Sequence, residues 1–366
     1  LVLAHGTTTV IADPHEIANV CGAPGIEYML TEGTRTPLDI LIMLPSCVPA
    51  TPLDLGGAVL AADDLARFRE REGVIGLAEV MNVPGVLAGD EDLRAKMALF
   101  EVIDGHAPFL SGKDLNAYIY AGIRSDHECT TLDEAREKLL RGMYIMVREG
   151  STERNLRELL PLVNACTTPR CCFATDDRHA DMLAGEGHID DCIRKAVACG
   201  LEVELALRMA TLSAADRFGL HDRGALAPGR IADFCIIDDP VRFRVLRTFK
   251  RGVEVVDAGY RPPVCPAVPL HARVPEPRDI QITGRGEARV IGIVPGQITT
   301  LDLRCPVDAA GIPDIDRDIL KAVVTDRYRA GGSGVGLVHG FGLQEGAIAG
   351  SVSHDSHNIV AVGTDD

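Results

Sequence analysis

The sequence is short of positive charge: 37 Lys and Arg stand against 53 Asp and Glu, a formal net charge of -16. Nucleic-acid binding depends mainly on clustered basic side chains that neutralise phosphates, so this balance argues against a nucleic acid and for a small ligand. No uninterrupted apolar run approaches the roughly 20 residues that a membrane span needs, and no basic-then-apolar leader opens the chain. A soluble protein without a membrane partner is expected. CxxC is missing too: the cysteines number 11, an odd count, and they are scattered, with Cys171 and Cys172 adjacent. That argues against a fixed disulfide framework and for reduced, mostly buried thiols in the cytoplasm. There is no internal repeat and no low-complexity tract. Ser353 and Ser356 lie beside histidines but outside any GxSxG elbow, which disfavours a serine nucleophile there.

What is present is a globular composition, 46% apolar and 25% charged over 366 residues, enough for one large barrel-type domain and a smaller one. Up to about residue 218 a short β-branched run, a polar turn and a helical stretch recur, the pattern of βα units around a parallel sheet. It predicts strands at Thr7–Ala12, Leu38–Leu44, Val74–Val80, Val102–Asp104, Ala121–Ser125, Met143–Arg148 and Cys171–Thr175. Helices are expected over Ala61–Glu70, Leu132–Arg141, Glu153–Ala165 and Ile189–Ala198. Seven strands is one short of the eight that close such a barrel. A small β subdomain over 219–262 follows, with strands near Phe234–Ile237 and Glu254–Val256. The proline-rich stretch from Pro262 to Pro277 reads as a linker, and 263–366 as linker plus the opening of an α+β domain.

Chemistry concentrates where the strands end, the rim that carries the active site in barrels of this type. Glu79, His106, His127 and Asp176 come from four different strand ends. Imidazole nitrogens and carboxylate oxygens suit divalent transition metals, and a barrel rim gathers them without local spacing. A lone residue of this kind is usually a satisfied polar side chain; four in order are harder to dismiss.

The segments HGTTTVIADPHEIANVCG from His5, PSCVPATP from Pro45, GLAEVMNVPGV from Gly76, DGHAP from Asp104, SDHE from Ser125 and ATDDRH from Ala174 resemble the successive strand-end motifs of adenine deaminases, a family of the amidohydrolase superfamily. GRIADFCIID from Gly229 is similar to the strand that closes the superfamily's β subdomain, and GFGLQEGAIAGSVSHDSHNIVAVGTDD resembles the family's C-terminal domain. The resemblance implies an α/β fold with a (β/α)8 barrel whose first strand is missing here. It implies hydrolytic deamination of adenine to hypoxanthine and ammonia at a pair of Mn2+ or Fe2+ ions. Glu79 would bridge the metals, His106 and His127 would bind them, and Asp176 would touch metal and shuttle a proton. Asp177 would contact the purine or the departing amine. A divalent metal lowers the pKa of bound water and so provides a nucleophile at neutral pH.

The strand-one His-x-His pair that this superfamily uses for its more buried metal does not occur in the chain, so an internal fragment lacking roughly the first hundred residues is expected, without its full metal set. Other residues keep more than one reading. His15 and Glu16 reach the site or start the next helix. Ser46, Arg178 and His179 contact substrate or support the ligands, or are ordinary loop residues. His354, Asp355 and His357 bind a metal, reach the barrel mouth, or form an internal hydrogen-bonded turn. Rival functions are a deacetylase or cyclic-amide hydrolase on the same scaffold, or a catalytically incomplete binding fragment. A homo-oligomer is left open.

Overall fold

The computed structural model describes residues 1–256, 264–308 and 312–365. The chain divides into two compact units: Leu1–His15, Ala23–Cys47 and Leu60–Cys265 form the first, and Glu16–Gly22, Val48–Val59 and Pro266–Asp366 the second.

The first unit holds seven parallel barrel strands. They are β1 (Thr9–Ala12), β2 (Asp39–Leu44), β3 (Val74–Val80), β4 (Ile103–Gly105), β5 (Ser125–Asp126), β6 (Tyr144–Arg148) and β7 (Cys171–Ala174). Hydrogen bonding runs β1-β2-β3-β4 and β5-β6-β7. β4 and β5 share no ladder; the Ile103 carbonyl accepts from Arg124 N, just ahead of β5 (3.3 Å), and from the buried guanidinium of Arg217 (2.7 Å). The strands nevertheless run close together. A β-carbon on Gly105 would overlap Ser125 O and lie 2.9 Å from the Tyr118 hydroxyl, so glycine is what the position before His106 tolerates.

Side chains alternate as a period of two requires. Ile145, Val147, Cys171 and Phe173 face the helices in one apolar cluster, while Met146 and Cys172 join Met43, Ala78 and Phe218 in another, inside the curled sheet. Helices cover the outside. Leu132–Leu140 is capped by the Thr131 hydroxyl and Ile189–Ala198 packs Cys192, Ile193 and Ala196 inward.

Three expected elements differ. The helix expected over Ala61–Glu70 is the short Ala62–Ala66, after which the chain turns. Ala121 closes the helix Gly112–Tyr120 by donating to Ala117 O, and Gly122 turns at φ 113, so the fifth strand begins only at Ser125. The helix expected over Glu153–Ala165 is a single turn, Leu156–Leu159, followed by a 3-10 turn, Leu160–Leu162. Pro161 has no N–H to continue the ladder, and Asn164 then folds a turn that accepts from Thr167 and Thr168.

A three-stranded antiparallel sheet, β8 (Phe234–Ile237), β9 (Val245–Lys250) and β10 (Val253–Glu254), belongs to the same unit. Thr248 donates to Leu3 O at 2.6 Å, and Lys250 reaches Thr8 O, Asp39 and Asp233, which ties this sheet to β1 and β2. The expected boundary at 262 and 263, with Pro262 at the head of the linker, lies outside the described residues. Residues 264–276 form no regular element.

In the second unit six strands form one sheet. They are β11 (Arg285–Ile293), β12 (Thr300–Asp308), β13 (Ile319–Thr325), β14 (Ser333–His339), β15 (Ala347–Ser353) and β16 (Asn358–Gly363), in the order β12-β11-β14-β13-β16-β15. Pairing is antiparallel except between β11 and β14. Among the described residues beyond 264 the one helical element is the 3-10 turn Pro277–Asp279, so the helical share of the expected α+β domain is not among them. No helix of the described residues is long and apolar enough to cross a membrane.

Candidate metal centre

Glu79 sits next to the end of β3, where strict alternation from the inward Ala78 would turn it outward with Leu77. The pairing with β4 shifts register between Leu77 and Val80, and Met81 N turns back onto Glu79 O at 3.1 Å. Such irregularities re-aim side chains at sheet ends. The Ser46 hydroxyl fixes the same residue from β2 by donating to Glu79 O at 2.5 Å, and Lys96 holds Ser46 O at 3.1 Å. Ser46 thus fixes the strand end that carries Glu79.

His106 follows β4 and His127 follows β5. His106 Nδ1 lies 2.8 Å and His127 Nε2 3.2 Å from the same oxygen, Glu79 Oε2. Burial works to raise Glu79, but hydrogen bonds from and the charges of both imidazoles outweigh it and hold the carboxyl well below its ordinary value. The same pairing raises His106 and His127 although burial opposes a charged imidazole. The pocket therefore favours positive charge facing Glu79. Glu79, His106 and His127 can offer three ligand atoms within 4.8 Å of one another, as can Asp13, His15 and Glu79, and His127, Glu128 and Asp176. Nitrogen and carboxylate donors around a place that favours positive charge fit a divalent transition metal.

His15 both starts a helix and lies beside Glu79. Its N–H donates to Asp13 Oδ1 at 3.0 Å at the start of the helix His15–Cys21, and its ring lies 2.9 Å from Asp13 Oδ2 and 3.5 Å from Glu79 Oε1. Burial pushes Asp13 up to about 6.

Asp176 follows β7 with φ 46, a left-handed backbone uncommon outside glycine. Its Oδ2 lies 2.5 Å from Arg148 Nη1 and 3.9 Å from His127 Nε2. Asp177 differs from its neighbour in that both its oxygens are engaged. Oδ1 accepts from Ser151 N (3.2 Å) and Arg148 Nη2 (3.3 Å), and Oδ2 from Thr152 N (2.8 Å) and the Thr152 hydroxyl. Despite the opposing effect of burial, Thr152 and Arg148 lower its pKa.

Four residues here were not picked out as site candidates. Arg148, buried at the end of β6, joins Asp176 and Asp177 to Glu128, which it contacts directly. Glu128 Oε1 is 3.3 Å from His127 Nε2, and burial pushes it up to about 7 although His127, His106 and Arg148 pull it down. Tyr118 is fully buried; its hydroxyl donates to Val80 O at 2.6 Å and accepts from His106 N at 3.1 Å, linking two strand ends. Asp126, just before His127, is fully buried as well. The SDHE turn displays Asp126 and Glu128, and Arg148 stands at a polar strand end, whereas Tyr118 carries no signal beyond an ordinary helix.

The remaining candidates lie elsewhere. Arg178 is buried and bound to Asp191 (2.6 Å), Glu186 (3.2 Å) and Glu149 O (3.3 Å), a structural anchor. His179 is exposed and precedes the helix Ala180–Gly185, its N–H donating to Ser151 Oγ at 2.8 Å. Glu16 belongs to the second unit with His354, Asp355 and His357. His354 Nε2 lies 3.0 Å from Glu16 Oε1 and His357 Nε2 3.3 Å from Oε2, while His354 Nδ1 is 2.5 Å from Asp355. The hydrogen bonds of His354 and then His357 lower Glu16 far below an ordinary glutamate.

Residues 1–255 match the model of the amidohydrolase family, and residues 298–366 that of the adenine deaminase C-terminal domain. Over its whole length the chain is 87% identical to an adenine deaminase of Methanoculleus marisnigri, of which it covers 71%. It is 62% identical to one from Methanoregula boonei and 46% identical to one from Dehalococcoides mccartyi, covering 66% of each.

Proposed function

Because the chain belongs to the amidohydrolase family, among its adenine deaminases, we propose that Glu79, His106, His127 and Asp176 form the reaction centre for hydrolysis of a C–N bond of adenine. Adenine and water give hypoxanthine and ammonia. The observation that carries the assignment is the meeting of His106 and His127 on one oxygen of Glu79, with Asp176 beside His127.

The family implies a divalent metal, which when bound supplies a water acidic enough to attack C6 at neutral pH. Glu79, His106, His127 and Asp176 would hold one Mn2+ or Fe2+ ion or a pair of them, and the second oxygen of Glu79 faces His15. The chain's own residues then do proton work. Asp176 accepts the proton of the attacking water and returns it to the exocyclic nitrogen as the C6–N bond breaks, so one carboxylate serves both steps. Arg148, at 2.5 Å, holds Asp176 in place. Asp177 is committed to Ser151 and Thr152 and so keeps the loop after β6 in position. The odd number and the scatter of the eleven cysteines support a reducing, cytoplasmic setting.

The test is ammonia release from adenine before and after chelation, with Mn2+ or Fe2+ added back. Metal-dependent turnover is expected, abolished by His127→Ala. Turnover that survives complete chelation would overturn the metal assignment. Hydrolysis of an N-acetyl substrate without ammonia release from adenine would favour the deacetylase reading.

A further inference from the structure

Lys138 lies on the helix Leu132–Leu140, and its side chain is fully buried together with that of Asp126. A buried ammonium is tolerated only if its donors are used. All three are: Nζ reaches Ala107 O at 2.6 Å, Asp126 Oδ2 at 2.5 Å and Glu134 Oε1 at 2.6 Å. Asp126, Cys129 and Glu134 group as a cation site would, and the cation they surround is the chain's own lysine.

The two carboxylates pass the constraint on to the backbone. Asp126 Oδ1 accepts from Ala107 N (3.1 Å) and Glu128 N (3.2 Å). Glu134 accepts from Phe109 N (2.7 Å) and Thr130 N (3.3 Å). Ala107 and Phe109 follow His106, and Glu128 and Thr130 follow His127; both stretches lie beyond the ends of β4 and β5, where no strand ladder holds them. Phe109 is held at φ 60, a conformation rare for an aromatic residue, so the cage imposes the path of this loop.

We infer that Lys138 is a positioning residue, whose ammonium locks the loops after β4 and β5 together so that His106 and His127 meet Glu79. This rests on the reading that those histidines hold the divalent ion. Partners of this kind tune metal affinity without touching the ion.

The test uses Co2+ as probe and two variants, Lys138→Met and Lys138→Met with Asp126→Asn. The second leaves Asp126 without a charge in need of pairing and so keeps the metal-free protein closer to its normal melting temperature. Both should bind Co2+ about 10–100-fold more weakly by chelator competition, with altered visible absorption bands. A double variant that melts like the unaltered protein and binds Co2+ with the same affinity and spectrum would overturn the inference and leave the metal assignment standing. Absence of Co2+ binding in the unaltered protein would overturn the metal assignment and this inference with it. Hydrogen exchange of the unaltered, metal-free protein decides the matter should the variants not fold. The Ala107, Phe109 and Glu128 amides should be protected as strongly as those of β6, and exchange at the rate of an unstructured peptide would overturn the proposal.

Discussion

Asp176→Asn separates chemistry from stability, because the two effects differ in size. The substitution preserves the shape of the side chain and an oxygen that faces Arg148 and His127, but removes the ability to take and return a proton. Loss of a positioned general acid or base costs about 10²–10⁴-fold in rate, equivalent to about 2.7–5.5 kcal/mol of barrier. The stability cost is smaller. Asp176 is 38% exposed and its close partner is Arg148, so the ion pair is worth about 0–1 kcal/mol. Arg148 also keeps Glu128, Glu153 and Asp177 as partners, so no guanidinium is orphaned. At about 2–4 °C per kcal/mol the melting temperature should fall by no more than a few degrees. The assay is steady-state ammonia release with saturating metal, alongside metal content and calorimetry. A collapse of kcat with KM and metal content little changed is expected. Near-normal kcat in Asp176→Asn, with Asp177→Asn inactive at an unchanged melting temperature, would place the shuttle on Asp177 and refute the argument from its engaged oxygens.

Tyr118→Phe removes the hydroxyl between Val80 O and His106 N and leaves two buried backbone groups unpaired. Calorimetry of the metal-free protein should show a loss of about 2–4 kcal/mol, and a loss under about 0.5 kcal/mol would show that the bridge is not made. Gly150→Ala would drive a β-carbon into Asp177 and to 2.9 Å from Thr175 O; urea unfolding should report a loss of about 1–3 kcal/mol, and unchanged stability would mean the loop is free to shift. His188, between Thr7 and Thr175, is lowered from 6.5 to about 4 by burial and then by Arg178. Protons bind the unfolded chain first, so this contribution is complete above about pH 6.5, shrinks as pH falls toward 4, and amounts to about 3 kcal/mol. Unfolding midpoints at pH 4 and pH 7 should therefore lie closer together in His188→Gln than in the unaltered protein, and equal spacing would refute the assignment.

The order of strands and the rim positions of Glu79, His106, His127 and Asp176 were legible in the sequence, because both depend on near neighbours: short apolar runs mark most of the strands, and the polar residues at their ends stand at the rim. The recurring turns DPHE, DGHAP, SDHE and ATDD display the candidate residue types in chain order, which is what carries the resemblance to a family. Lys138 could not be found this way. In the pattern of its helix it is one more charged residue beside Glu134 and Arg136, and only the packing of that helix against the ends of β4 and β5 brings it onto Asp126 and the backbone after His106. Arg148 likewise looked like the polar end of a strand until folding set Glu128, Asp176 and Asp177 around it. Neighbours in sequence could also part: His15 reaches Glu79 in the first unit, while Glu16 bonds His354 and His357 in the second. Periodicity determines which way a residue faces along its own element. Which distant charge it meets there is decided by tertiary packing, since a buried charge must find its partner wherever the fold places one.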